Sequence, residues 1–277
     1  MSTNAATPEP WENPIKARLR QGLPVIGITI TTNSVETTAL AASLGFDLLW
    51  IEMEHSPVTL ETVRNIVLAT RGMKAVPFVR VPLNELWTAK RVLDSGALGV
   101  IFPFTSTPEM ARQAVAACKY PPHGKRGSGA GFASFCWPNS GNYYDFADRN
   151  VVVVVIIEEI AAVERIEEIA AIPGIDVLFV GPSDLSFSMG WRGDMNHSLV
   201  HEAMAKVVDA ARRHGKTAGC LTTGGTDIAR CLEQGFRFIQ CGTELNLMAD
   251  GAQMLLEKFG RQPEQTAPTS YVVTEKR

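Results

Sequence analysis

The sequence predicts an α/β protein of the (β/α)8 barrel class. Three observations carry this. Eight short apolar runs alternate with eight amphipathic segments. Several of the runs, above all Val151–Ile157, are apolar throughout, as strands buried on both faces of a parallel sheet are. Glycines stand just before the next run at Gly45, Gly72, Gly96, Gly174, Gly215 and Gly235, where helices close with a C′ glycine. A doubly wound open sheet is the structural alternative. Eight units within about 250 residues favour the closed barrel.

In order, the runs are Val25–Ile30, Leu48–Ile51, Ala75–Val81, Gly99–Pro103, Val151–Ile157, Val177–Val180, Thr217–Leu221 and Phe236–Cys241. Helical patterns follow them at Val35–Leu44, Leu60–Arg71, Leu86–Ser95, Pro108–Lys119, Ile160–Ala171, Leu199–His214, Thr226–Gln234 and Leu245–Phe259. One domain is expected over residues 1–261. Residues 120–150 form a long insertion rich in glycine and aromatics, and 262–277 read as a flexible polar tail.

The bulk numbers exclude several classes. With 277 residues, 45% hydrophobic and 20% charged, the chain has the composition of a globular protein. A net charge of -3 without a basic block gives no footprint for nucleic acid or an anionic membrane. No run is long enough to span a bilayer. The N-terminal stretch lacks the apolar core of a secretory signal. Five scattered cysteines without a CxxC pair suit a reducing cytoplasm.

In a barrel, function gathers where strands end. The second run ends at Glu52, Glu54 and His55, and the third at Arg80. The fifth ends at Glu158 and Glu159, the sixth at Gly181-Pro182-Ser183-Asp184, and the eighth at Gly242-Thr243-Glu244. Glu158 and Asp184 form the best metal pair, because two carboxylates with open positions suit Mg2+ or Mn2+. The plainer reading is that either one caps the helix after it. Histidine exchanges a proton near neutral pH, which makes His55 the candidate base, with Glu52 or Glu54 to orient it. Arg80, in a strand that should be central, either pairs with a carboxylate or holds an anionic substrate oxygen. No lysine at a strand end suggests a Schiff base.

The segments GFDLLWIEMEHSP, VPFVRVP, GALGVIFPFTSTPEMARQAVAACKYPPHGKRG and GIDVLFVGPSDLSFSMG strongly resemble the HpcH/HpaI aldolases, from about Pro14 to Phe259. The resemblance implies a barrel of the phosphoenolpyruvate/pyruvate type, assembled as a homo-oligomer, a hexamer or trimer with an exchanged last helix. It implies Glu158 and Asp184 as ligands of a divalent metal ion (Mg2+, Mn2+ or Co2+) and Arg80 as the group holding the pyruvate oxygen. By the same resemblance His55 is the acid/base with Glu52 beside it, and Gly181, Pro182, Ser183 and Asp184 hold the pyruvate carboxylate. The implied reaction is metal-dependent cleavage of a 4-hydroxy-2-oxo acid to pyruvate and an aldehyde through an enolate. Two departures stand out: Glu52 replaces the usual aspartate, and Ile156 replaces a glutamine. They and the aromatics Trp137, Tyr143, Tyr144 and Phe146 leave room for rivals. One is another metal–enolate reaction, such as oxaloacetate decarboxylation, CoA-ester cleavage or the chemistry of macrophomate synthase. A different class of rival is a binding protein on a retired barrel.

Overall fold

A computed structural model describes residues 11–138, 142–222 and 225–262. Eight parallel strands close into a barrel in sequence order: β1 (Val25–Ile30), β2 (Leu48–Glu52), β3 (Val76–Arg80), β4 (Gly99–Phe102), β5 (Val152–Ile157), β6 (Val177–Val180), β7 (Thr217–Leu221) and β8 (Phe238–Thr243). β8 pairs with β1 to complete the ring. The open-sheet alternative is thereby excluded. Among the described residues, no helix is long and apolar enough to cross a membrane.

The expected helices are present within a residue or two at each end, with one difference. The segment after β5 is two short helices, Ile160–Glu164 and Ile166–Ala170, broken at Arg165. All six glycines placed at helix ends have positive φ. At Gly96 the constraint is double: φ is +95°, and a Cβ would stand 2.8 Å from Val67 Cγ1.

Inside the barrel, small and large residues interlock. Glycines on β1, β4 and β7 (Gly27, Gly99, Gly219) face Leu48, Phe78, Phe179 and Phe238, and a Cβ on any of the three would stand 2.3–2.7 Å from one of those side chains. The rings then pack tilted or edge-on against one another: Phe78 lies 5.9 Å and Phe179 lies 6.2 Å from Phe238, and Trp50 lies 4.9 Å from Phe179. This aromatic plug fills the lower barrel, as layered side chains do in this architecture, and forms the floor on which the site is built.

The insertion between the helix Pro108–Cys118 and β5 carries two helices of its own, Ala133–Cys136 and Tyr143–Asn150. Its anchor is Arg126, 1% exposed, which donates to Asp94 at 2.8 Å and stacks over the Tyr120 ring. Trp137 donates its indole N–H to Gly96 O and stacks on Trp11, which also meets Phe146. These contacts lie at the start of β4 and β5, the N-terminal face. Residues 263–277 of the expected tail lie outside the described residues.

Candidate active site

Parallel strands bring every C-terminal end to one rim, and the register there is tight: Glu52 on β2 lies directly beside Arg80 on β3. A pocket of about 50 Å3 opens between them, lined by Thr29, Trp50, Glu52, Arg80, Ile156, Glu158, Phe179, Gly181, Ser183, Asp184, Leu221 and Gln240. It contains six of the seven expected site residues apart from Pro182, the exception being His55, which stands at its edge beside Arg80. No described residue of the insertion lines it.

Arg80 is the centre of the charge arrangement. Its Nη2 pairs with Glu54 Oε2 and lies 3.9 Å from Glu158 Oε2, while Nη1 lies 3.5 Å from Glu52 Oε2. Its Nε is buried and has no hydrogen-bond partner among the described residues. Nη2 also stands 3.5 Å from His55 Nε2. Three carboxylates, from Glu52, Glu54 and Glu158, thus surround one guanidinium, and Asp184 lines the same pocket.

Each carboxylate is differently engaged. Glu52 accepts the indole N–H of Trp50 at 3.2 Å and the backbone N–H groups of Glu54 and His55 at 2.7 and 3.1 Å. It therefore shapes the loop that carries His55 and does not touch the ring. Glu54 lies 3.5 Å from His55 Nε2. Burial pushes the Glu54 carboxyl up to about 7, with Arg80 opposing and the neighbouring carboxylates reinforcing the shift. Burial also raises Glu158 to about 7, against the pull of the Phe104 N–H and Arg80.

Glu158 is held from one side. Its Oε1 accepts the Phe104 N–H at 2.6 Å, a bond that depends on the left-handed backbone of Phe104, φ +44°. The same turn after β4 is tied to β5 by Thr105 N–H to Ile156 O at 3.2 Å. On the other side stands Gly181. A Cβ there would lie 2.9 Å from Glu158 Oε2, so only glycine leaves the carboxylate its place. Asp184 sits in the first turn of the helix Pro182–Ser188. Pro182 has no N–H to give, and the next amides, of Ser183 and Asp184, are first-turn donors without an intrahelical partner. Glu159 bonds Ser106 Oγ and makes no side-chain cap.

The donor set fits a hard divalent cation. Glu158 Oε2 and the Asp184 carboxylate accept no protein hydrogen bond among the described residues, whereas Glu52 and Glu54 are engaged by N–H groups and Arg80. No cluster of three or more ligating side chains forms among the described residues. The protein thus offers two carboxylates and leaves the remaining positions open for water and substrate oxygens.

A family model described as HpcH/HpaI aldolase/citrate lyase matches residues 27–251. The chain belongs to this family. The 5-keto-4-deoxy-D-glucarate aldolase of Shigella boydii serotype 18 is 34% identical over 249 residues, covering 90% of this chain and 97% of the relative. A solved HpcH/HpaI aldolase/citrate lyase family protein from Burkholderia cenocepacia J2315 superposes with a TM-score of 0.84 at 33% identity, over 90% of this chain and 99% of that one. The HpcH/HpaI aldolase from Desulfitobacterium hafniense DCB-2 gives 0.82 at 26% identity, over 91% and 98%. As an HpcH/HpaI member the chain is an enzyme, a lyase of the aldolase type.

Two polar pocket residues, Thr29 and Gln240, are absent from the residues expected from the sequence. They lie inside their strands, not at the ends where polar residues were sought. Strand parity was the available signal, since Gln240 is two residues beyond the inward-facing Phe238.

Proposed function

We propose that this HpcH/HpaI aldolase reversibly cleaves a 4-hydroxy-2-oxo acid to pyruvate and an aldehyde, with Mg2+ or Mn2+ as cofactor and Co2+ as the alternative ion. The observation that carries this reading is the convergence on one small pocket of Arg80 and two carboxylates with oxygens free of hydrogen-bond donors among the described residues, with an imidazole 3.5 Å from the guanidinium at its edge.

Glu158 and Asp184 would hold the divalent ion, which would supply Lewis-acid polarisation of the 2-oxo group. Arg80 places its fork against the 2-oxo oxygen and offsets the negative charge that develops there as the C3–C4 bond breaks. The first-turn amides of Ser183 and Asp184 hold the substrate carboxylate. Gly181 and Pro182 shape that wall, the first by having no side chain. His55 Nε2 takes the proton of the 4-hydroxyl in cleavage, the enolate takes a proton at C3 from solvent to become pyruvate, and condensation reverses both transfers. Glu52 holds the His55 backbone in place. Trp50, Ile156 and Phe179 exclude water from below.

The last helix, Glu244–Lys258, supports the reading of a homo-oligomer, hexamer or trimer: Met248, Met254 and Leu255 are each more than half exposed on it. The five cysteines, none of them in a disulfide, suit a cytoplasmic location. The deciding assay is pyruvate release from 4-hydroxy-2-oxo acids before and after EDTA. Cleavage that survives complete removal of metal would overturn the mechanism, and sedimentation would report the assembly.

A further inference from the structure

The pocket has two unlike walls. β2, β3, β5 and β6 supply its charged groups. The other wall, from β1, β7 and β8, holds Thr29, Leu221 and Gln240 and is used by none of the roles above.

β8 is irregular beside Gln240. Gly27 faces Gln240, yet Thr29 faces Thr243, so β8 carries one residue more than β1 over this interval. Gly242 absorbs the bulge with φ +81°. Bulges re-aim side chains beside functional sites. This one turns the Gly242 carbonyl toward the Gln240 amide, with Nε2 to O at 3.1 Å. Nε2 also donates to Thr29 Oγ1. A carbonyl oxygen only accepts, so the atom beside Gly242 O must be the amide nitrogen, and the orientation of the amide follows.

Both amide protons are thereby spent. Gln240 Oε1 has no hydrogen-bond partner among the described residues, and Gln240 is partly exposed where it lines the pocket. The Thr29 hydroxyl has accepted from Gln240 and keeps its own proton to give. An acceptor and a donor side by side match a group that both donates and accepts. A carboxylate, which only accepts, would meet the lone pairs of Oε1.

We propose that Gln240 and Thr29 are the specificity-determining pair for a hydroxyl group on the aldehyde half of the substrate, so that the enzyme selects hydroxylated aldehydes over their deoxy counterparts. The proposal rests on the aldolase reading and names its acceptor class. Leu221 beside the pair offers apolar contact to the carbon chain. An acceptor lacking the hydroxyl would leave two polar groups unpaired, which is how a hydrogen-bonding wall discriminates.

The test is condensation of pyruvate with isosteric aldehyde pairs, glycolaldehyde against propanal and 3-hydroxypropanal against butanal. The wild type is expected to favour the hydroxylated member of at least one pair by more than about tenfold in kcat/KM. Gln240→Leu and Thr29→Val, the second nearly isosteric, should each reduce that ratio to within about threefold of unity. Equal use of both members by the wild type would overturn the proposal. So would a preference that survives in both variants, and Thr29→Val decides the matter if Gln240→Leu does not fold. Exchange of the pyruvate methyl protons in D2O is followed in parallel on the wild type. No exchange would overturn the aldolase reading and this proposal with it, whereas exchange without acceptor preference would overturn this proposal alone.

Discussion

The carboxylate that lies against the His55 imidazole is that of Glu54, 3.5 Å from Nε2, while Glu52 two residues earlier holds the backbone amide of His55 instead. The two acids therefore divide the support of one histidine between its ring and its main chain. Glu54→Gln is expected to lower the cleavage rate and move its pH profile, with a loss of about tenfold or more. Glu52→Gln weakens acceptance of two amides and should appear chiefly as lost stability, about 1–3 kcal/mol. Steady-state pH profiles and thermal melts of both variants separate the roles.

Glu158→Gln and Asp184→Asn should each abolish or severely weaken divalent-ion binding, measured by titration calorimetry with Mg2+ or by Mn2+ resonance. A Glu158→Gln protein that binds Mn2+ as tightly as the wild type would remove Glu158 from the ligand set.

Gly181→Ala puts a methyl group within 2.9 Å of Glu158 Oε2. Relief requires movement of the carboxylate, because the Phe104 amide holds its other oxygen. The expected result is at least about tenfold weaker metal binding with a stability loss of about 1–3 kcal/mol, the usual cost of overpacking. Calorimetry and melting on the same sample would show whether the two effects part.

Stability of the metal-free protein should depend on pH through Glu54 and Glu158. Both titrate near 7 in the fold against 4.5 unfolded, so the native state binds more protons in between. Their contribution is fully present below about 4.5 and is lost as pH rises through about 7. The wild type should lose melting temperature over that window relative to Glu54→Gln/Glu158→Gln, in which the groups do not titrate. Excess Mg2+ should reverse the trend, because the cation favours the ionised carboxylates. A parallel pH dependence in both proteins would refute the assignment.

The barrel was legible because its signals are local. A valine run buried on both faces and glycines at helix ends each need only a few residues to be read. Features without a local mark were missed. Nothing in Val163-Glu164-Arg165-Ile166 announces the break between two short helices. β8 begins two residues later than its apolar run and continues to Thr243, because the bulge at Gly242 keeps polar residues in the sheet. At the site, residue types at strand ends pointed to Arg80, Glu158 and Asp184. The expectation set Glu52 beside the His55 imidazole, whereas Glu54 lies against the ring and Glu52 holds the His55 amide, because the chain leaves the strand after Glu52 and only the turn geometry aims each carboxylate. The aromatics of the insertion drew attention as possible site residues, yet Trp137 and Phe146 are spent on Trp11 at the opposite face of the barrel.

The interlocked glycines and rings of the lower barrel also govern traffic. With Phe78, Phe179 and Phe238 packed across the bore, reactants, products and exchanging solvent should all pass through the mouth at the C-terminal rim. A molecule too long for the cup can extend only outward into water. Extra length at the far end of an oxo acid should therefore be tolerated, while extra bulk on the end that enters first should not.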